Sequence, residues 1–121
     1  MAQEPALLKV TRNDDVLQVE FLTRKILDEA NIAEIGEKLS EIVEKEERPR
    51  MIISFAAVDH LSSAALGTLI IINNKIKQRS GQLRLSNINP QIGEVFSITK
   101  LDKLFRICKT VKEAQDSLQP V

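Results

Sequence analysis

The beginning of the chain alternates apolar and polar residues with the period of a β-strand. Leu8 and Val10 are separated by polar residues, and residues 17–21 form a second alternating run. The turn-forming residues 13–15 lie between the two runs. Since successive side chains of a strand point to opposite faces, this pattern predicts a hairpin with one apolar face.

After the hairpin, the spacing of the apolar residues changes to that of a helix. The residues on the apolar face are Ile32, Ile35, Leu39, Ile42 and Val43. The opposite face carries Glu and Lys side chains, as expected for an amphipathic helix. Asp28 and Asn31 are both candidates for its N-terminal cap, and the helix is expected to end before Pro49.

The middle of the chain predicts two strands around a long helix. The nearly continuous apolar run 51–55 is typical of a strand inside a sheet. A helix is expected from Ala64 to Arg79, followed by Gly81 in the left-handed conformation that often ends helices. Leu83 and Leu85 mark the next strand.

Three short elements are predicted in the last third of the chain. Asn89-Pro90 has the pattern of a cap followed by proline in the first turn, and this helix is expected to reach Phe96. Residues 104–108 predict an edge strand, Thr110 caps a final helix, and residues 119–121 are expected to fray. The order β-β-α-β-α-β-α-(β)-α predicts an α/β fold with a mixed sheet of four to five strands and about four helices.

Composition and charge narrow the function classes. The 121 residues fit a single domain over 1–121, with an ordered core at about 6–118. Seventeen basic residues balance seventeen acidic ones, and aromatic residues are 3%, which argues against a nucleic-acid partner. The absence of a signal peptide, of a bilayer-length apolar run and of a second cysteine beside Cys108 predicts a cytoplasmic protein with no membrane insertion. The edge at residues 8–11 leaves a weak homodimer open.

Ser62 and Ser63 stand where the apolar run gives way to the long helix. One interpretation is a helix cap, in which a hydroxyl accepts from an N–H group of the first turn. The other is a phosphoacceptor, because the free N–H groups and the dipole of a helix N-terminus favour an anion. The two interpretations are compatible, since one serine can cap while its neighbour is modified.

Enzymatic alternatives find little support. A hydrolytic serine needs a base and an orienting group, yet His60, the only histidine, lies three residues from Ser63 in no known motif. A phosphate-binding Gly-rich loop is also missing. One His and one Cys do not make a zinc set. We therefore expect no catalytic residue, no metal and no cofactor.

The long helix carries a second stripe of residues that begins next to Ser63. This stripe consists of Ala64, Thr68, Ile71 and Lys75. Either a neighbouring element buries Ile71, or Ile71 anchors a partner-binding face. The sequence leaves both alternatives open.

Several segments together resemble the STAS domain, the fold of bacterial anti-sigma factor antagonists. The segment 61–67, the helix after it, Asn89-Pro90 and the segment 101–105 are similar to the family's pattern. Aligned on the Leu66-Gly67 step, the family's phosphorylatable residue falls at Ser63, with Ser62 as a second choice. The resemblance covers nearly the whole chain and implies a single-domain STAS fold.

The resemblance also implies a function. Such a protein binds an anti-sigma factor that is also a serine kinase, and it thereby regulates transcription by partner switching. The kinase phosphorylates the acceptor serine and ends the binding, and a phosphatase restores it. The antagonist itself is not an enzyme. The implied contact residues are Asp59, His60, Ser62, Ser63, Ala64, Thr68 and Ile71.

Three departures from the family's pattern qualify this function. Ser62 stands in place of an aspartate, Ala65 in place of a glycine that a partner approaches, and Lys100 in place of another glycine. If position 100 needs a positive φ, lysine costs about 1 kcal/mol there. The two departures next to Ser63 leave room for an alternative, a non-switching STAS module in a lipid-transport or stress-signalling assembly. A small enzyme or nucleotide-binding protein is the remaining alternative.

Overall fold

The computed structural model describes residues 7–119. Within this range the chain forms seven strands and four α-helices. The strands are β1 (Leu8–Asn13), β2 (Val16–Phe21), β3 (Lys25–Ile26), β4 (Arg50–Ser54), β5 (His60–Leu61), β6 (Gln82–Ser86) and β7 (Arg106–Cys108). The helices are α1 (Glu29–Glu44), α2 (Ser63–Gln78), α3 (Pro90–Ile98) and α4 (Val111–Ser117), with a 3-10 turn at Leu101–Lys103.

The main sheet has the strand order β1-β2-β4-β6-β7. Strand β1 pairs antiparallel with β2, and the other pairs are parallel, with Val19 opposite Ile53 and Ile53 opposite Leu85. The predicted α/β fold with a mixed sheet is therefore confirmed, including β7 at an edge. A separate parallel pair, β3 with β5, was not predicted, because two residues are too few to show a period.

Helices α1 and α2 cover one face of the main sheet with aliphatic side chains. Met51, Ile53 and Leu85 are buried in this core. The apolar face of α1 is buried with them, except Ile42, which is only partly buried. The four phenylalanines form one row across the core, with ring centroids 5.2, 6.4 and 5.8 Å apart in edge-to-face contacts. Such contacts add to the burial of the rings themselves.

Helix α4 covers the other face with a much smaller cluster. Its members are Val16, Ile52, Cys108, Ala114 and Leu118, with Val111 packed beside them. Arg84 is also buried here and donates to the Ser117 hydroxyl at 2.8 Å. Burial lowers the pKa of this guanidinium, and the neighbouring Arg106 lowers it further.

The helix caps agree with the sequence in three places. Asp28, rather than Asn31, caps α1 by accepting from Ala30 N at 2.9 Å and Asn31 N at 3.1 Å. Asn89 caps α3, and Thr110 caps α4 by accepting from Glu113 N at 3.0 Å.

The prediction for Gly81 is wrong. Ser80 takes the left-handed conformation, with φ of 58°, and none of the described glycines has a positive φ. Glycine is needed at 81 for a different reason: a Cβ there would lie 2.2 Å from the Pro49 carbonyl oxygen and 2.9 Å from Ile76 Cγ2. The residue allows a close approach of two segments rather than a special backbone angle.

The two ends of the chain also bear on the predictions. Gln119 exchanges two hydrogen bonds with Gln82, so the fraying expected at residue 119 is not observed. Ala6, Pro120 and Val121, on which the predicted core boundary and the rest of the fraying depend, lie outside the described residues. Residues 7–119 contain no helix that is both long and apolar enough to cross a membrane.

Candidate functional site

The loop that leads to the two serines is hydrogen-bonded to the end of β6 and to the start of α3. It leaves the carboxyl end of β4, where Phe55 N donates to Ser86 O at 2.9 Å. Val58 is buried, and its carbonyl accepts from Asn89 Nδ2 at 2.9 Å. Asn89 thus joins the start of α3 to the loop before β5, so that α3 helps to hold the site in place.

The same loop is also hydrogen-bonded to β3 and to Arg24, the residue before it. Arg24 O accepts from Asp59 N at 2.7 Å and from His60 N at 3.1 Å, and Ile26 O accepts from Ser62 N at 3.1 Å. The Arg24 side chain adds a hydrogen bond from Nε to Asp59 Oδ2 at 2.8 Å. The corner that carries the serines is therefore attached to residues 24–26 by backbone and side chain.

The two serines have different roles in the structure. Ser62 is the N-cap of α2, with extended backbone, and its Oγ accepts from Ala65 N at 3.2 Å. Ser63 is the first residue of the helix and is exposed. The cap hydrogen bond is made by Ser62, so Ser63 is open to modification without loss of that bond.

The electrostatics at Ser63 suit an anion. The first turn of α2 carries no acidic residue. Backbone N–H groups at a helix N-terminus have no partner inside the helix, and the helix dipole is positive there. A phosphate on Ser63 would therefore be accommodated by the fold.

The second stripe of α2 faces α1. The Thr68 hydroxyl donates to Ala64 O at 3.2 Å, and its methyl group lies toward Gly36 of α1. Ile71 is 56% exposed, so no other described element buries it. Of the two alternatives for Ile71, burial by a neighbouring element is therefore wrong within residues 7–119.

The structure shows what two of the departures from the family's pattern do. Ala65 is 4% exposed, so its methyl group packs in the core and does not project toward a partner, contrary to the expectation. Lys100 does adopt a positive φ, of 62°, so the strain expected of a lysine in place of glycine is present.

Five of the predicted contact residues lie around β5 and the start of α2, and Thr68 and Ile71 lie further along α2. His60, Ser63 and Ala64 are exposed at the corner, with Asp59 half-buried beside them. Ile71 lies eight residues along α2 from Ser63, which corresponds to about 12 Å of helix. His60 belongs to strand β5 instead of the predicted loop, although it is exposed as expected.

Sequence reasoning did not find the contribution of residues 22–27. Arg24 and Asp59 are 35 positions apart, and no local pattern connects them. Leu22 and Leu27, which flank β3, are 47% and 50% exposed. Two exposed leucines in so short a segment are the one signal that could have drawn attention to it.

A family model and a known protein match this sequence. The family model described as the STAS domain matches residues 8–114. A candidate anti-sigma factor antagonist, BtrV of Bordetella bronchiseptica, is 27% identical over 89 residues, which are 74% of this chain and 76% of that protein.

Two solved structures show the same fold. A candidate anti-sigma factor antagonist of Thermotoga maritima superposes with a TM-score of 0.81 at 23% identity, over 93% of this chain and 95% of that one. The Bacillus cell fate determinant SpoIIAA in its phosphorylated form gives a TM-score of 0.70 at 18% identity, over 93% of this chain and 99% of that one.

Proposed function

The chain belongs to the STAS domain family, and on this basis we propose that it is an anti-sigma factor antagonist controlled by phosphorylation of Ser63. In its unphosphorylated form it binds an anti-sigma factor that is also a serine kinase. That kinase modifies Ser63 and is released, and a phosphatase reverses the modification. The protein acts in the cytoplasm and affects transcription through its partner.

The proposal depends on one observation: only one of the two serines caps the helix. Ser62 caps α2 and is half-buried, whereas Ser63 is exposed and outside the cap. A kinase therefore reaches Ser63 without opening the helix. The name of the Bordetella relative and the phosphorylated state of the Bacillus neighbour support the same function.

The physical effect of the phosphate would be on the partner rather than on the fold. A phosphoserine carries about −1.5 to −2 charges at pH 7. The N-terminus of α2 tolerates this charge, because its N–H groups and dipole favour anions. A protein that packs closely over Asp59, His60 and Ser63 would meet a bulky group and a new, unpaired negative charge, since the Asp59 carboxylate is already paired with Arg24.

The first test is phosphopeptide mass spectrometry on the protein isolated from its own cells under growth and stress conditions. The proposal expects phosphate on Ser63, with an occupancy that changes with conditions. Complete coverage of residues 61–69 with no phosphate under any condition would contradict it. Phosphate on Ser62 alone would assign the switch to the second-choice residue.

The second test measures binding to the kinase-type anti-sigma factor encoded in the same genome, by calorimetry. Ser63→Glu is expected to weaken binding at least about tenfold, or about 1.4 kcal/mol. Ser63→Ala is the matched control, since it removes the acceptor without adding charge and should bind like the wild type. Equal binding by the wild type and Ser63→Glu would count against the switch.

A second candidate function is a non-switching STAS module in a larger assembly. The observation that favours it is Ser62, because a capping hydroxyl occupies the position of the family's aspartate. This candidate expects a stable complex that Ser63→Glu leaves intact. Neighbouring genes for a transporter, rather than for a kinase-like anti-sigma factor, would support it.

A further inference from the structure

Helices α1 and α2 lie side by side and leave a groove of about 440 Å³ on the surface. The helices come close at Gly36, where a Cβ would lie 3.1 Å from Thr68 Cγ2. Ala33 and Ser40 add two further small residues to the floor on the α1 side. Ile71 forms the apolar wall on the α2 side and is 56% exposed.

The rim of this groove is acidic. Glu37, Glu41 and Glu44 of α1 line it, and Lys75 is the one basic side chain among the lining residues. Lys75 Nζ is paired with Glu44 Oε1 at 3.0 Å, and Lys45 Nζ is paired with Glu41 Oε1 at 3.6 Å. The Lys45–Glu41 pair is largely exposed, and the Lys75–Glu44 pair is half-exposed. Exposed pairs of this kind contribute little, so they do not prevent a partner from engaging these carboxylates. Glu37 has no salt-bridge partner within residues 7–119.

An apolar wall under an acidic rim fits a particular partner surface. A helix that presents apolar residues on one face and Lys or Arg beside them would bury Ile71 and place its cations next to the carboxylates. An acidic surface would be repelled, and a flat polar surface would leave Ile71 exposed. Charge complementarity therefore favours a basic amphipathic helix.

The groove is continuous with the surface that carries Ser63. Ala64, Thr68 and Ile71 lie on one stripe of α2, and the stripe starts at the residue after Ser63. The distance of about 12 Å from Ser63 to Ile71 fits within one interface of about 800 Å² per partner.

We propose that a basic amphipathic helix binds in the α1–α2 groove, and that it belongs to the same partner that contacts Ser63. This inference rests on the proposed function for the identity of the partner. The inference adds two things to the proposed function. It specifies the chemistry of the partner's contact segment, and it adds Ile71 as a second contact point, about 12 Å from the phosphorylation site. Binding is then expected to depend on ionic strength even when Ser63 is unmodified.

The test uses two probes. The first is a synthetic helical peptide of about 18 residues with leucines on one face and lysines on the other, followed by amide and methyl shifts of the labelled full chain. A peptide with glutamates in place of the lysines is its control. The second probe is the kinase-type anti-sigma factor encoded in the same genome.

Two variants separate the groove from general charge effects. The double variant Glu37→Lys/Glu41→Lys reverses two charges of the groove rim. Its control, Glu94→Lys/Asp116→Lys, makes the same change in net charge at exposed positions outside the groove. Ile71→Ser removes the anchor, and Ile98→Ser, on α3 and 74% exposed, is its matched control.

The basic peptide is expected to shift Ile71 and residues 33–41, and the acidic peptide is not. The rim reversal and Ile71→Ser should each weaken both probes about tenfold at low salt, while the two controls bind like the wild type. Shifts outside the groove, or equal loss in the rim reversal and its charge control, would overturn the inference. Shifts at Ile71 that grow with protein concentration alone would also overturn it, because a second copy of the chain would then cover the groove.

The outcomes distinguish this inference from the proposed function. If Ser63→Glu abolishes binding of the anti-sigma factor but the groove variants bind it like the wild type, the groove inference fails and the proposed function stands. If the anti-sigma factor does not bind at all while the peptide occupies the groove, the groove stands as a site and the proposed function fails.

Discussion

Replacing Ser62 by alanine tests whether Ser62, and not Ser63, stabilises the start of α2. The change removes the oxygen that accepts from Ala65 N at 3.2 Å and leaves one donor of the first turn of α2 without its partner. Loss of a serine cap costs about 1 kcal/mol, within a range of about 0.5–2. Ser63→Ala removes an exposed hydroxyl outside the cap and should cost almost nothing.

The expected cost translates into a measurable shift of the melting temperature. Unfolding entropy is about 2.1 cal/mol/K per residue, or about 0.25 kcal/mol/K for a chain of 121 residues. A loss of 1 kcal/mol therefore lowers Tm by about 4 °C. Differential scanning calorimetry is the suitable assay, because the chain has no Trp or Tyr to report unfolding by fluorescence.

A third variant sharpens the comparison. Ser62→Asp keeps a capping oxygen and restores the family's aspartate, so its Tm should equal or exceed that of the wild type. The reasoning would be refuted if Ser63→Ala lowered Tm as much as Ser62→Ala, or if neither variant changed it.

Three further variants test other parts of the fold. Gly81→Ala should lose about 1–3 kcal/mol in urea denaturation, because its Cβ would collide with the Pro49 carbonyl. Lys100→Gly should gain no more than about 0.5 kcal/mol in the same assay, since glycine removes about 1 kcal/mol of strain at the positive φ and costs about 0.5–1 kcal/mol of backbone entropy. Asn89→Ala should lose about 2 kcal/mol by calorimetry, because it removes both the cap of α3 and the hydrogen bond to Val58 O; an unchanged Tm would contradict the role given to this residue.

The elements that the sequence predicts well are those with a sustained period. Helix α1 repeats its apolar residues from Ile32 to Val43, about three turns. The alternation in β2 matches its buried face, whereas in β1 only Leu8 is buried and Val10 is 39% exposed. Strands β3 and β5 have two residues each and carry no period, so only their pairing in the folded chain reveals them.

Gly81 and Ile71 show where local patterns stop being sufficient. A glycine after a helix is compatible with a left-handed cap and with a close approach, and the contact that decides between them comes from Pro49, far away in sequence. Ile71 lies on a helix with apolar residues around much of its circumference, so exposure depended on how α1 packs beside α2. At the site itself, local chemistry predicted that one of the two serines caps α2 but left open which one, and the structure identifies Ser62 as the cap. The support from Arg24 became visible only in the tertiary structure.

The unequal cover of the two sheet faces has a consequence for the dynamics of the molecule. Helix α4 has seven residues and is held by a small cluster, so its detachment is expected to need much less free energy than global unfolding. Cys108, the only thiol of the chain, is 9% exposed under this helix, 3.9 Å from the Ser117 hydroxyl. Cys108 can therefore report local opening of the molecule. The rate at which a thiol reagent modifies it in native buffer measures how often α4 detaches from the sheet.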